Sequence, residues 1–268
     1  MHLCMQTLEQ QVERVPPAGT GREKEQAVQR MFSSIARYYD LNNSLLSLGL
    51  HHYWKREAVK CLTAPLAGAC GVRSGEISAE PRYILDLGAG TADLALVAAR
   101  SLNGNARIVA ADLNLPMLKV GSRKVSRAGL CERIVCVQAT AERMCARDGM
   151  FDGVITGFCI RNVGDLSMTM REICRVLKPG GRLVCLEFSR PVFPWLRRLY
   201  DWYSFTLLPW IGRKVSGDKT GVYSYLPASI RAFPDQDGLA KLMRESGFAT
   251  VVYRNMTGGI VAIHTATK

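Results

Sequence analysis

"ILDLGAGTADLALVAAR", residues 84–100, decides the fold. A short apolar run ends in a carboxylate, Asp86. Two glycines one residue apart follow, Gly88 and Gly90, and then a helix of small residues begins. The pattern is a strand turning into a helix across a loop of bare backbone. In open α/β sheets, ligands bind beyond the carboxyl ends of the strands, where strand order reverses. Glycine there lets a ligand approach the backbone and permits a positive φ.

Outward from this stretch the chain keeps one rhythm. Strands are predicted at 83–87, 107–111, 134–138, 151–158 and 182–188, with helices at 92–101, 116–128 and 166–177 between them. Alternating strands and helices give right-handed crossovers, and so an α/β fold with a mostly parallel sheet and helices on both faces. The tail differs: a helix over 235–247 precedes strands at 250–256 and 260–265, joined by "TGG". That is hairpin chemistry, which predicts an antiparallel strand at the sheet's edge. Before the rhythm, residues 1–26 read as a flexible leader. Residues 27–62 read as a helical, substrate-side segment broken at Asn42–Asn43 and Gly49. Residues 27–268 form one domain, with an inserted helical and aromatic lid over about 190–232.

Bulk properties narrow the class. Of 268 residues, 48% are hydrophobic and 22% charged, enough apolar material for a core without staples. The net charge of +12 favours anionic partners. The basic residues are scattered, however, and no cluster interleaved with aromatics points to nucleic acid. Nine cysteines include no C-x-x-C pair, which argues for reduced thiols. Cys159, Cys174 and Cys185 read as small buried hydrophobes. No segment has signal-peptide or membrane-span character, and no residues have metal-ligand spacing. A cytoplasmic protein that touches a membrane only peripherally, at its inner face, is the expectation.

The ligand of the glycine loop is read from its neighbours. Asp112 ends the second strand, placed to accept hydrogen bonds from ribose hydroxyls. A dinucleotide fingerprint requires a third glycine where this chain has Asp93, and a carboxylate there repels a pyrophosphate. S-adenosylmethionine has no phosphate and carries an ammonium, which Asp86 and Asp93 suit, directly or through water.

The sequence resembles the ubiquinone/menaquinone biosynthesis C-methyltransferase family, of the UbiE type, over roughly residues 32–265. The resemblance rests on "YYDLNNSLLSLGLHHYWKR", "ILDLGAGTADL", "ADLNLPMLKVG", "FCIRNVGD", "RVLKPGGRLVCLEFSRP" and "SIRAFPDQ". It implies the class I S-adenosylmethionine-dependent methyltransferase fold, with a seven-stranded sheet. It implies a reduced quinone with an isoprenoid tail as substrate, a demethylated menaquinol or a ubiquinol precursor. It also implies donor contacts at Thr91, Asp112 with the adjacent Leu113, Thr140, Ala141 and Gly157, beside the loop residues Asp86, Gly88 and Gly90. Three positions depart from the family pattern: Ala92 stands where glycine is usual, Thr140 where Asn or Asp is common, and Gly157 where Ser is common. Ala92 is harmless at negative φ and costly if the turn is left-handed.

Methylating carbon requires a carbon nucleophile, which a hydroquinone becomes when its hydroxyl loses a proton. Arg161 and Asn162 follow the fourth strand, beside the donor. Arg161 is no base at neutral pH, but it lowers a phenol's pKa and holds an oxyanion. The competing reading pairs it with an acid such as Asp165. Tyr39 is read either as orienting the ring hydroxyl or as a packed aromatic. His51 and His52 are base candidates, of which one at most faces the site, or else packed histidines. The stretch 191–212, with Trp195, Tyr200, Trp202, Tyr203, Phe205 and Trp210, leaves three readings: a tail groove or membrane-facing lid, ordinary core, or a homodimer interface. Arg197, Arg198, Arg213 and Lys214 nearby would suit acidic headgroups. A methyltransferase for another phenol or lipid, and a silent donor-binding scaffold, are the alternatives.

Overall fold

The structure, a computed structural model, describes residues 21–63, 81–102, 106–207 and 222–268. Three helices come first: α1 (Arg22–Ile35), α2 (Tyr39–Leu46) and α3 (Leu50–Thr63). The alternating part runs β1 (Arg82–Leu87), α4 (Asp93–Ser101), β2 (Ala106–Asp112), α5 (Leu115–Arg127), β3 (Ile134–Gln138), β4 (Phe151–Gly157), α6 (Leu166–Val176) and β5 (Leu177–Phe188). Then come α7 (Pro194–Trp202) with a π turn at Tyr203–Leu207, α8 (Val222–Ala232), α9 (Gln236–Glu245), β6 (Thr250–Met256) and β7 (Val261–Thr267).

The strands form one sheet in the order β3-β2-β1-β4-β5-β7-β6. β1 pairs in parallel with β2 on one side and β4 on the other. The order therefore reverses at the carboxyl end of β1, where the glycine loop sits. β7 runs antiparallel between β5 and β6, so the extreme edge is held by β6 rather than by the last strand.

Side chains alternate across the sheet. Ile84, Ile155 and Val184 pack with α3 and α4 on one face, and Leu85, Val154 and Leu183 with α6 and α9 on the other. Gly153 lets α3 come close: a Cβ there would lie 2.8 Å from Cδ1 of Leu62, which is fully buried. Leu62→Ala would cost about 2–5 kcal/mol at such a site.

Caps set several helix starts. Asn114, Asp165 and Asp235 accept backbone N–H groups from Met117, Met168 and Gly238. α4 has no such cap. It follows Ala92, which holds φ +62°, the costly left-handed case.

Two boundaries differ from the sequence reading. α1 begins at Arg22, inside the expected leader, because Lys24 donates to the carbonyls of Arg161 and Val163 and ties the first turn down. Residues 1–20 lie outside the described residues. α2 runs through Asn42–Asn43 without a break, and the Ser44 and Ser47 hydroxyls bond back to the Asp40 and Asn43 carbonyls. The break falls at Leu48–Gly49, both at positive φ.

Candidate active site

Two cavities meet at the carboxyl ends of the strands. The first, about 750 Å³ of empty space with open solvent included, lies over the glycine loop. Gly88, Gly90, Asp112, Leu113, Thr140, Ala141 and Gly157 line it, as do Tyr39 and Asn162. Gly88 cannot be replaced: φ is +69°, and a Cβ would fall 2.0 Å from Cys159 Sγ. Cys159 lines this cleft rather than filling core, whereas Cys174 and Cys185 are buried as expected. Asp112 Oδ2 accepts the Gly90 N–H at 2.8 Å and Oδ1 the Asn114 N–H at 2.7 Å. The carboxylate is thus pinned at the end of β2, with acceptor capacity remaining for a ribose hydroxyl.

Asp86 and Thr91 do not reach this cleft. Asp86 is fully buried under the loop, and its Oδ2 accepts the Ala95 N–H in the first turn of α4. Burial, opposed by that hydrogen bond, pushes its carboxyl up to about 7. Thr91 donates to Asp40 Oδ1 at 2.6 Å. Asp93 is also taken: Lys55 lies 2.7 Å from Oδ2, and Lys124 pairs with Oδ1. Burial works against its charge, but the two lysines outweigh it and hold the carboxyl at about 2. Lys124 also reaches Asp40 at 2.7 Å. Asp40, Thr91, Asp93, Lys55 and Lys124 thus clamp α2 and α3 onto the glycine loop. The sequence reading had turned Asp93 toward the donor, and its two lysines are the correction.

The cleft fits the cation inferred from sequence. Among the described residues lining it are the acids Glu25, Asp112 and Glu142, and neither Lys nor Arg. A pyrophosphate there would meet three carboxylates and, among the described lining residues, neither Lys nor Arg. α1 closes over the cleft with Val28, Gln29 and Phe32, and Asn114 Nδ2 donates to the Gln29 carbonyl, Gln29 Oε1 and Ser33 Oγ.

The second cavity is larger and apolar, about 1720 Å³ on the same measure. It shares Phe32, Tyr39 and Phe158 with the first, so one wall separates them. Arg161 faces this cavity and not the donor cleft. Its Nη1 lies 2.6 Å from Glu187 Oε1 and 2.8 Å from the Phe158 carbonyl oxygen, and its guanidinium sits 5.3 Å from the Phe188 ring centre. Burial opposes its charge, yet Glu187 facing it raises Arg161 above an ordinary arginine. The acid partner is Glu187 rather than Asp165, which caps α6. Asn162 Oδ1 accepts the Tyr225 hydroxyl at 2.9 Å, so the insertion grips the turn after β4. Burial raises the Tyr39 hydroxyl to about 12, which keeps it protonated.

These features match known proteins. The model of the ubiE/COQ5 methyltransferase family matches residues 20–268. The chain belongs to that family. It is 44% identical over 246 residues to the ubiquinone/menaquinone biosynthesis C-methyltransferase UbiE of Pectobacterium atrosepticum, and 42% identical to that of Francisella philomiragia. Each alignment covers 92% of this chain and 92% of the relative. Among solved structures, a methyltransferase of Thermotoga maritima described as a possible histamine N-methyltransferase aligns with TM-score 0.57 at 19% identity, over 89% of this chain and 99% of that one. That likeness shows the fold alone. Family and fold together make this chain a methyltransferase and imply S-adenosylmethionine as its donor.

His51 carries a signal that the sequence left undecided. It lines the apolar cavity, is 3% exposed, and its Nε2 has no hydrogen-bond partner among the described residues. Its Nδ1 lies 2.8 Å from Ser47 Oγ, and that hydroxyl donates its one proton to the Asn43 carbonyl at 2.6 Å. With that proton on the Asn43 carbonyl, Ser47 accepts from Nδ1–H, and Nε2 is the acceptor. Burial, aided by Lys55, lowers the ring's pKa to about 4, so the imidazole is neutral.

Proposed function

We propose that this chain transfers a methyl group to the ring carbon of a demethylated, reduced isoprenoid quinone, with the donor in the acidic cleft and the quinol in the apolar cavity. The observation that carries the reading is the shared wall of Phe32, Tyr39 and Phe158. It sets a phosphate-free, cation-suited cleft against an apolar cavity of a size to take a ring and part of a tail. S-adenosylmethionine, when bound, supplies the methyl electrophile. Gly88, Gly90, Asp112, Leu113, Thr140, Ala141 and Gly157 hold it, while Asp86 and Thr91 support the loop from beneath.

The protein's task is to make and align a carbon nucleophile. His51 Nε2 accepts the ring hydroxyl's proton, and Arg161 and Tyr39 donate toward the developing oxyanion. Glu187 and Asn162 act through others: Glu187 holds Arg161, and Asn162 links the turn to Tyr225. Phe158 and Phe188, with ring centres 4.6 Å apart, exclude water beside Arg161. The new carbon–carbon bond would form as the methyl's bond to sulfur breaks, the electron pair staying with sulfur as a neutral thioether. The ring carbon then gives up its hydrogen as a proton to solvent, the oxyanion takes back the proton held on His51, and aromaticity returns.

No helix among the described residues is long and apolar enough to cross a membrane. A long isoprenoid tail partitions into lipid, so this reading has the enzyme meet its substrate at the cytoplasmic surface of a bilayer. The reading is tested by incubating the full chain with methyl-labelled donor and a demethylated menaquinol or a short-tailed hydroquinone. Label on ring carbon is the expected result. Label on oxygen, or donor binding without transfer to any quinol, would overturn it.

A further inference from the structure

α7 carries an exposed apolar stripe on one side and a cluster of charged residues on another. None of its residues is buried. Trp195, Leu199 and Trp202, at i, i+4 and i+7, fall on one stripe and are 66%, 54% and 57% exposed. Val192 and Phe193, just before the helix, are exposed as well, and the Phe193 and Trp195 rings stack 6.4 Å apart. An amphipathic helix ordinarily turns such a stripe to the core.

The stripe runs along the rim of the apolar cavity, which Leu199 and Trp202 line together with Leu196, Tyr200 and, just after the helix, Tyr203, whereas Val192, Phe193 and Trp195 do not line it. Another side of α7 closes a polar cavity of about 790 Å³ of empty space, walled by Arg190, Arg197, Asp201 and Arg231 with the buried Ser189 and Ser204. Among the described residues lining it, three are arginines and one is an aspartate. Asp201 lies 3.2 Å from Arg231, while Arg190 and Arg197 are anchored on the carbonyls of Arg231 and Pro191. The polar and apolar cavities adjoin, sharing Tyr200, Ser204, Pro227 and Ile230. Arginines suit a phosphate by the shape of the guanidinium as well as by charge.

We propose that α7 lies in the surface of an anionic bilayer, with the Trp195–Leu199–Trp202 stripe among the acyl chains and the arginine cavity holding the phosphate of one acidic phospholipid. Tryptophan at interfacial depth beside basic residues is the arrangement that holds an amphipathic helix in the headgroup region. The apolar cavity then opens toward lipid. That last point rests on the functional reading above, whereas the docking surface itself does not.

The test uses the full chain with phosphatidylcholine vesicles, with and without phosphatidylglycerol, in a flotation assay at low and physiological salt. We expect binding to the acidic vesicles that weakens with salt. Phe193→Ser with Trp195→Ser lowers binding at least tenfold. Methyl transfer to a short-tailed, water-soluble hydroquinone stays unchanged in that variant. Arg190→Ala and Arg197→Ala each lower acidic-vesicle binding roughly fivefold, without altering donor binding by calorimetry. Equal binding to neutral and acidic vesicles, indifference to the serine pair, or a dimer in sedimentation that hides Trp195 would overturn the proposal. Loss of methyl transfer by the unaltered chain would instead count against the functional reading and leave the vesicle result standing.

Discussion

Arg161 Nη1 and Glu187 Oε1 lie 2.6 Å apart, with both side chains shut away from solvent. The pair changes what Arg161 offers a substrate. A lone buried guanidinium would act as a full positive charge on a phenol. Here much of that charge is spent on Glu187, and what remains is a rigid, aimed donor. Removing one member also strands the other, at a cost of about 3–5 kcal/mol. Arg161→Ala alone therefore mixes lost chemistry with lost fold. The double replacement Arg161→Met with Glu187→Met keeps volume and removes both charges. We expect it to fold and bind donor normally, while methyl transfer falls by roughly 10²–10³, the loss of one oxyanion donor. Calorimetry and single-turnover transfer measure the two separately, and undiminished transfer would remove Arg161 from the mechanism.

Ala92 stands at φ +62°, and a Cβ built on Gly121 would lie 3.1 Å from Ala92 Cβ. A non-glycine residue in the left-handed region costs about 1–2 kcal/mol. Ala92→Gly is expected to raise the melting temperature by roughly 2–4 °C, the shift that 1 kcal/mol produces in a domain this size. Gly121→Ala should destabilise the natural chain and do so only partly less when residue 92 is glycine, because its Cβ would meet the Thr91 C and Ala92 N backbone atoms at 3.1 and 3.2 Å as well as the Ala92 methyl. Additive effects in thermal melts would refute that coupling.

How much of this was legible depended on what each residue answers to. The parallel core was readable because β1, β4 and β5 are buried on both faces at their centres, where Ile84–Leu85, Val154–Ile155 and Leu183–Leu186 are apolar. Gly88, Gly90 and Asp112 were readable because the loop geometry admits few alternatives. The direction of a charge was not readable. Asp93 looked free until Lys55 and Lys124, distant in sequence, proved to enclose it. Glu187 was overlooked, yet its signal was the one already used for Asp86 and Asp112: an acid closing an apolar strand at its carboxyl end. Tyr225 had no local signal, since its contact with Asn162 spans 63 residues. Trp210, Arg213 and Lys214 lie outside the described residues.

Asp86 predicts an inverted pH dependence of stability. Its folded carboxyl titrates at about 7, against 3.8 ordinarily. Between those values the folded chain keeps a proton that the unfolded chain releases. The contribution is therefore complete below about 3.8 and is lost as the pH rises toward 7. Asp86→Asn carries a neutral group at every pH and keeps an oxygen for the Ala95 N–H. The donor-free variant should melt with the natural chain at pH 4 and above it at pH 8, in differential scanning calorimetry. A variant that melts lower at both would show that the buried charge is wanted for stability.

The lone pair on His51 Nε2 makes the sharpest demand on the substrate. A bare acceptor shut in an apolar wall costs about 1–3 kcal/mol unless the ligand supplies a donor. A hydroquinone does so, and its dimethyl ether does not. The natural chain should therefore bind the hydroquinone roughly tenfold tighter than the ether, read by quenching of Trp54, which lines the same cavity. His51→Phe should abolish that discrimination, binding the ether as well as before, and slow methyl transfer by about 10²–10⁴. Ser47→Ala, which releases the tautomer without removing the ring, should lose part of both. With its pKa held at about 4, His51 stays neutral across ordinary assay conditions. Transfer should accordingly show no loss of activity through pH 6.5, where a solvated histidine would titrate. If His51→Phe still prefers the hydroquinone and turns over at the natural rate, the proton leaves by another route and Tyr39 becomes the group to replace next.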